Sequence, residues 1–361
     1  MRRPTRHPPE AGATPAGAIA MMDPDGRAPR PHGSVAPGHG QPVRPTDGGS
    51  AVETTAPSGR QLELVHGESR AVVTEVGGGL RDYRVGAAAV LDGYGPGEMA
   101  SRGRGQLLLP WPNRVAAGRY TFGGTNHQLP VNEVALGNAS HGLTRWLGWE
   151  LERLDPAAAR ARVVLRAQSG YPFTVAFSAR YRLDDTGLTV TLTATNLGDT
   201  AAPVGMGAHP YFVLAGADGS PAPADDITVT VPAATRLRTD ERLIPTGAEE
   251  VTGGPFDLRD PRPLGGLVLD TCFTDLRRAA DGRAGVTLTA AGGTLTIWQD
   301  EAWPYVQLFT GDTLAPGERR RSIAVEPLTC PANAFNSGDG LRVLEPGESF
   351  GGSWGVRPDL R

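Results

Sequence analysis

Long apolar runs are missing from this chain of 361 residues. No window holds the ~18 apolar residues that a membrane-spanning helix needs. Cysteine is nearly absent: Cys272 and Cys330 are the only two. That excludes a disulfide scaffold and predicts a reducing, cytoplasmic compartment. A dominant charge is missing too. The 35 Lys and Arg against 39 Asp and Glu leave a net charge of −4, so no nucleic-acid or anionic-membrane partner is expected. No apolar core follows Arg2 and Arg3, which argues against a secretory signal. No His-Glu-x-x-His pair or clustered Cys/His set predicts a metal site. No Gly-x-Ser-x-Gly elbow is present. The run Gly77-Gly78-Gly79 is not followed by Lys-Ser/Thr or a helical pattern, so it reads as a hairpin turn rather than a phosphate loop.

What is abundant is glycine (49) and proline (32), which favours turns over long helices. Residues 1–59 are rich in Pro, Gly, Ala and Arg and nearly lack large apolar side chains. They cannot bury enough surface to offset their ordering entropy and read as a disordered tail. His7, His32 and His39 within it read as solvated, and Met21 and Met22 are alternative starts that the sequence leaves open. Residues 60–361 form the expected domain, with 39% hydrophobic residues over the whole chain to build its core. Short strand-like stretches recur there: Ala161 to Ala167, Phe173 to Leu183, Leu188 to Asn196 and Ile227 to Val231. Val286 to Leu288 and Leu295 to Ile297 flank a turn at Ala291-Gly292-Gly293. The clearest alternation is Leu188, Val190, Leu192 and Ala194 with threonines between them. Many short strands with close turns predict an all-β, antiparallel sandwich or barrel with few short helices.

Several side chains in this frame could carry chemistry. In Ser322 to Asn336, Ile323 and Val325 point to one side of a strand and Ser322, Ala324 and Glu326 to the other. Pro327 cannot donate to a ladder, so pairing is expected to stop there and leave open space before Glu326. Such a carboxylate is either a general base or a solvent-facing strand end. Asn113 and Arg114 follow Pro110-Trp111-Pro112; the guanidinium fork suits neighbouring hydroxyls or a structural acid. His141 precedes Gly142, which permits close backbone approach. His209 lies on one face with Gly205 and Gly207, whose missing side chains would leave a hollow of ligand size or mark a bulge. Asp270 follows an apolar run, and Gln307 alternates with Val306 and Leu308. His66 and His127 read as structural or exposed. Cys330, four residues past Glu326, reads as a small buried hydrophobe.

Five segments, in this order, resemble the aldose 1-epimerase (galactose mutarotase) family over about residues 60 to 357. They are Asn113-Arg114-Val115-Ala116-Ala117-Gly118-Arg119-Tyr120-Thr121-Phe122, Ser140-His141-Gly142-Leu143, Gly207-Ala208-His209-Pro210-Tyr211-Phe212, Leu269-Asp270-Thr271-Cys272-Phe273 and Ala324-Val325-Glu326-Pro327-Leu328-Thr329-Cys330-Pro331. The resemblance implies an antiparallel β-supersandwich with an open cleft and interconversion of the α and β anomers of a free aldohexose. It implies Glu326 as general base and His209 as general acid. His141 would contact the ring-oxygen region, and Arg114, Asn113, Asp270 and Gln307 would hold sugar hydroxyls. The partner would be a small monosaccharide, the protein a monomer or homodimer.

That chemistry fits the residue types. Ring opening removes a proton from the anomeric hydroxyl and delivers one to the ring oxygen. A Glu with a pKa near about 4.3 and a His near about 6.5 suit those tasks at neutral pH, with no metal or cofactor required. The two side chains are expected to meet across a shared hollow, a hexose-width apart. Three rivals remain. A hexose-6-phosphate 1-epimerase would need an extra cation such as Arg102, Arg104 or Arg145. A non-catalytic sugar-binding module would not need the acid/base pair. A glycosidase would use Glu326 with Asp270.

Overall fold

The computed structural model describes residues 56–361. The expectation for residues 1–59 therefore lies, but for its last four residues, outside the described residues. Ser58, one of those four, is buried, and its carbonyl accepts a hydrogen bond from Val76 N–H at 3.0 Å.

Alternating side chains and tight turns build two large antiparallel sheets. The first has nine strands in the order Glu150–Asp155, Ala158–Leu165, Val175–Asp184, Gly187–Asn196, Ser349–Leu360, Gly293–Gln299, Ala284–Ala290, Thr228–Thr230 and Arg262–Pro263. The second runs Pro245–Glu250, Ala233–Thr239, Asp270–Leu276, Tyr305–Phe309, Ile323–Leu328, Gly207–Ala208 and Leu107–Leu108. Tyr211–Phe212 also pairs with Ile323–Leu328. A four-stranded sheet is formed by Gln61–His66, Ser69–Thr74, Leu80–Val85 and Ala88–Ala89. The described residues include one short α-helix, Ala334–Ser337, and one 3-10 turn, Ala224–Asp226. The architecture is the all-β supersandwich expected, and no helix of the described residues is long and apolar enough to cross a membrane.

Local chemistry sets the register. Asp184 Oδ1 accepts from Thr186 N–H at 2.8 Å, folding a tight turn that brings Asp184 opposite Gly187. From there Leu188, Val190, Leu192 and Ala194 are buried in turn while the threonines between them stay partly exposed. The expected hairpin about Ala291-Gly292-Gly293 forms between Ala284–Ala290 and Gly293–Gln299. The inward faces of both large sheets share one apolar cluster, which includes Phe177, Val190, Val306 and Val325. Each such side chain contributes about 1.5–3 kcal/mol. That cluster gives the second sheet a rigid inner face, so its other face can carry polar groups.

Pairing does not stop at Pro327, contrary to expectation: Val306 lies opposite Pro327 and Tyr305 opposite Leu328. The reason is directional. Val325 N–H and Thr329 N–H both point to the neighbouring chain segment, bonding Pro210 O and Met206 O. By alternation, the donor that Pro327 lacks would face the break between Gly207–Ala208 and Tyr211–Phe212. His209 occupies that break, so the proline's missing N–H costs nothing.

Candidate active site

Three neighbouring strands lay the floor. Cys272 lies opposite Gln307, and Gln307 opposite Glu326. One row thus carries the amide beside the carboxyl, with Asp270 two residues from Cys272 on the same face. Gln307 Nε2 donates to Asp270 Oδ1. The alternate row, Thr271, Leu308 and Val325, is buried.

His209 comes in from the strand break. Its backbone is held on both sides: His209 N–H bonds Gln106 O at 3.0 Å and Gly105 N–H bonds His209 O at 2.9 Å. Its Nε2 stands 3.4 Å from Glu326 Oε1, and both side chains are at most 7% exposed. The two groups are thus in near contact rather than a hexose-width apart. The sugar oxygens they would serve are bonded to the same carbon, so no such separation is needed.

The two glycines expected to clear a hollow do not. A Cβ on Gly205 would overlap Cys330 Sγ, and one on Gly207 would press on Pro112 and Leu328, so their space is already filled by protein. The glycine that makes room for the imidazole is Gly103, where a Cβ would lie 2.7 Å from His209 Cδ2. Gly103 also has φ +79°. Gly103→Ala is therefore expected to lose roughly 1–2 kcal/mol from its left-handed backbone alone and to displace the ring. Thermal denaturation would check this; a variant as stable as wild type would contradict it.

The wall opposite is built on Asn113, Arg114 and His141. His141 N–H bonds Asn113 O at 2.8 Å, and Gly142 lets the chain pass against the Leu109 carbonyl as expected. Arg114 is committed to an acid that the sequence reading missed. Its Nε and Nη2 reach Glu133 at 2.9 Å, and its Nη1 donates to Asn113 Oδ1 at 3.0 Å. Glu133 lies in a polar loop with no periodic signal to mark it.

All seven predicted residues, Glu326, His209, His141, Arg114, Asn113, Asp270 and Gln307, line one cleft of about 700 Å³. Two further features gather at it. Eight described non-glycine residues have positive φ, and four of them (Arg102, Asn113, His141 and Leu243) line this cleft. Strain of that kind concentrates at functional sites. His141 Nδ1, His209 Nδ1, Glu326 Oε2 and Arg145 Nε are also buried without a hydrogen-bond partner in the protein. Each such group costs about 1–3 kcal/mol if left unmet. Of the three candidate extra cations, Arg102 and Arg145 line the cleft. Arg104 is instead buried against Asp92 and Glu318.

Burial resets the titration of the pair. It pushes Glu326 well above the ordinary carboxylate range; Asp270 adds to this and Arg114 opposes it. Burial lowers His209 to about 3, with Arg145, Arg104 and Arg114 adding to the fall and a backbone hydrogen bond opposing it. His141 is driven well below its ordinary value by desolvation first and then by His209, Arg145 and Arg114. Asp270 is raised by burial, partly offset by Arg114 and Gln307. The carboxylate and imidazole are thus not near their free values as expected. Both shifts favour a neutral carboxylic acid beside a neutral imidazole. Among the described residues no group of three or more His, Cys, Asp or Glu side chains is arranged to hold a metal ion.

Comparison with known proteins gives a consistent picture. The model of the aldose 1-epimerase family matches residues 60–356. An uncharacterized protein of Escherichia coli K12, YihR, is 32% identical over 294 residues, 81% of this chain and 91% of its own length. Mouse galactose mutarotase is 33% identical over 226 residues, 60% of this chain and 64% of its own length. Among solved structures, a galactose mutarotase-like protein from Clostridium acetobutylicum superposes with a TM-score of 0.73 at 18% identity, covering 83% of this chain and 95% of that one. Galactose 1-epimerase from Lactobacillus acidophilus gives 0.67 at 22% identity, covering 83% and 98%.

Proposed function

Because the chain belongs to the aldose 1-epimerase family, we propose that it interconverts the α and β anomers of a free aldohexose. Glu326 and His209 act as the acid/base pair, and Arg114, Asn113, Asp270, Gln307 and His141 hold the sugar. The observation that carries this reading is the 3.4 Å approach of the Glu326 carboxyl to the His209 imidazole at the buried end of the cleft. A binding site alone has no need of two proton-transfer groups side by side.

The steps balance. Glu326 takes the proton of the anomeric hydroxyl while His209 gives a proton to the ring oxygen. The bond from the anomeric carbon to the ring oxygen breaks, its electrons go to that oxygen, and a carbonyl forms. Rotation about the adjacent carbon–carbon bond presents the other carbonyl face. His209 then recovers the proton as the ring closes, and Glu326 returns its own to the anomeric oxygen. The pair carries one proton throughout, moving between carboxylate with imidazolium and carboxylic acid with imidazole.

One proton on the pair fixes the pH profile. Below the His209 value of about 3 both groups are protonated and no base remains. Above the raised Glu326 value both are deprotonated and no acid remains. Burial sets these limits first; Asp270 and Arg114 act on Glu326, and Arg145, Arg104 and Arg114 on His209, while His141, Tyr211 and Cys272 also face the pair. kcat/KM is expected to plateau between limbs wider apart than those of a free Glu and His, which fall at about 4.3 and 6.5. Limbs at those free values would show that burial does not tune the pair.

A second reading, a sugar bearing an anionic group such as a 6-phosphate, is favoured by Arg145. It lines the cleft, its Nε is buried without a partner among the described residues, and its guanidinium donates to Gln106 Oε1 at 3.3 Å and Ser140 O at 3.4 Å and lies 5.5 Å from the Trp146 ring centre. No carboxylate offsets the effect of burial on it. Polarimetry on freshly dissolved glucose, galactose and glucose 6-phosphate tests both readings. Accelerated anomerisation of the free sugars is expected. A higher kcat/KM for the phosphate, lost in Arg145→Met, would assign the anion to Arg145; no acceleration of any sugar would remove the enzymatic reading.

A further inference from the structure

His209 is oriented without the usual device. A working imidazole is commonly held by a hydrogen bond from its second nitrogen to a carbonyl or carboxylate. Among the described residues Nδ1 has no such partner on any other residue; the only backbone group that opposes the effect of burial is its own. What holds the ring lies against its flat face. Tyr211 stacks on it with centroids 4.9 Å apart and planes 12° from parallel. His141 meets it edge-on at 5.4 Å.

The tyrosine is itself held on several sides. It is two residues from His209 in sequence, on the same face, and its strand pairs with Ile323–Leu328, which carries Glu326. Its hydroxyl donates to Arg102 O at 3.1 Å. The guanidinium of Arg104 lies 5.1 Å from its ring centre. Arg104 is 4% exposed and is fixed by Asp92 at 3.1 Å and Glu318 at 3.3 Å. Asp92 also accepts from Ser322 Oγ at 2.8 Å, at the residue just before the Glu326 strand. One carboxylate thus ties down both the column behind His209 and the start of the strand bearing Glu326.

We propose that Tyr211, backed by Arg104 and anchored through Asp92, is the positioning residue for His209, replacing the Nδ1 hydrogen bond with a stacked face. The advantage is chemical. A ring held by its face needs no bond at Nδ1 to orient it, so Nε2, which faces Glu326, gains and loses its proton without an opposing bond on the far side. The buried cation behind the tyrosine acts in the same direction as burial on His209. Neither Tyr211 nor Arg104 exchanges a proton with the sugar.

The inference rests on His209 as the acid, and its test reads the ring directly as well as turnover. Tyr211→Phe keeps the stack and is expected to keep the upfield ring-current shift of the His209 imidazole protons in NMR spectra. Tyr211→Leu removes the stack. It is expected to lose that shift and to lower kcat by roughly 10²-fold, the scale of an ångström's misplacement, with KM little changed. Arg104→Met removes the cation that backs the tyrosine, so the stack should loosen, part of the ring-current shift should be lost, and His209 should titrate at higher pH. It serves if the Leu variant does not fold. Unchanged imidazole shifts and kcat in Tyr211→Leu, or unchanged imidazole shifts in Arg104→Met, would overturn the proposal. An active His209→Asn enzyme would instead overturn the assignment of the acid and leave the stacking result intact.

Discussion

Glu326→Gln is expected to slow anomerisation by roughly 10²–10⁴-fold, the range for loss of one proton-transfer group, while melting no lower than the wild-type protein. Both halves follow from the same burial. Glu326 is 2% exposed, and its pKa is pushed up by desolvation. Burial therefore favours its protonated form in the folded protein, which an amide matches in shape. Gln cannot accept or release the proton, so turnover fails. The pH dependence has a definite sign. A carboxyl whose folded pKa is raised contributes stability that is complete below its unfolded value and is lost as pH rises through its folded one. The Gln variant lacks that loss, so its melting temperature should gain on wild type as pH rises. Polarimetry and thermal melts at two pH values measure both. Near-normal rates in this variant would remove Glu326 as the base. A lower melting temperature that worsened with rising pH would mean that the ionised form is the one the fold prefers.

What the sequence displays and what it hides divide along the range of the interaction. Period-two alternation is local, so the strand Leu188 to Asn196 and the faces of Ile323 to Glu326 were legible. So was the permissive role of Gly142. The register that sets Gln307 opposite Glu326 joins strands through a loop, and no local pattern encodes it. Pro327 misled because its effect depends on which neighbour its nitrogen faces, and that neighbour is the segment 206–210, more than a hundred residues earlier. Gly205 and Gly207 misled because a missing side chain marks space without saying what fills it; Pro112, Leu328 and Cys330 do. Glu133 was hidden because a single acid in a polar loop carries no pattern. Its fork onto Arg114 exists only once Arg114 to Ala116 pairs with Asn138 to Ser140. The titration shifts were hidden for the same reason: desolvation is a property of the assembled cleft.

The other large effect is expected at His209. His209→Asn should also cost roughly 10²–10⁴-fold, and the informative measurement is the double variant with Glu326→Gln. Two independent groups would multiply their losses. Groups that pass one proton back and forth act as a unit, so the double variant should be little slower than the slower single one. The approach of 3.4 Å between the two side chains is what makes this non-additivity expected. The pH profile adds a second check. With the imidazole gone, the limb that belongs to it, near the value of about 3 to which burial lowers His209, should vanish from the residual activity. The limb from Glu326 should persist, displaced because the neighbouring ring no longer shares its proton. Fully multiplicative losses, or a limb that stays near about 3 in His209→Asn, would mean that the ring oxygen receives its proton from another group. His141, half-buried with its Nδ1 unpartnered and its ring 5.4 Å from that of His209, would then be the side chain to examine.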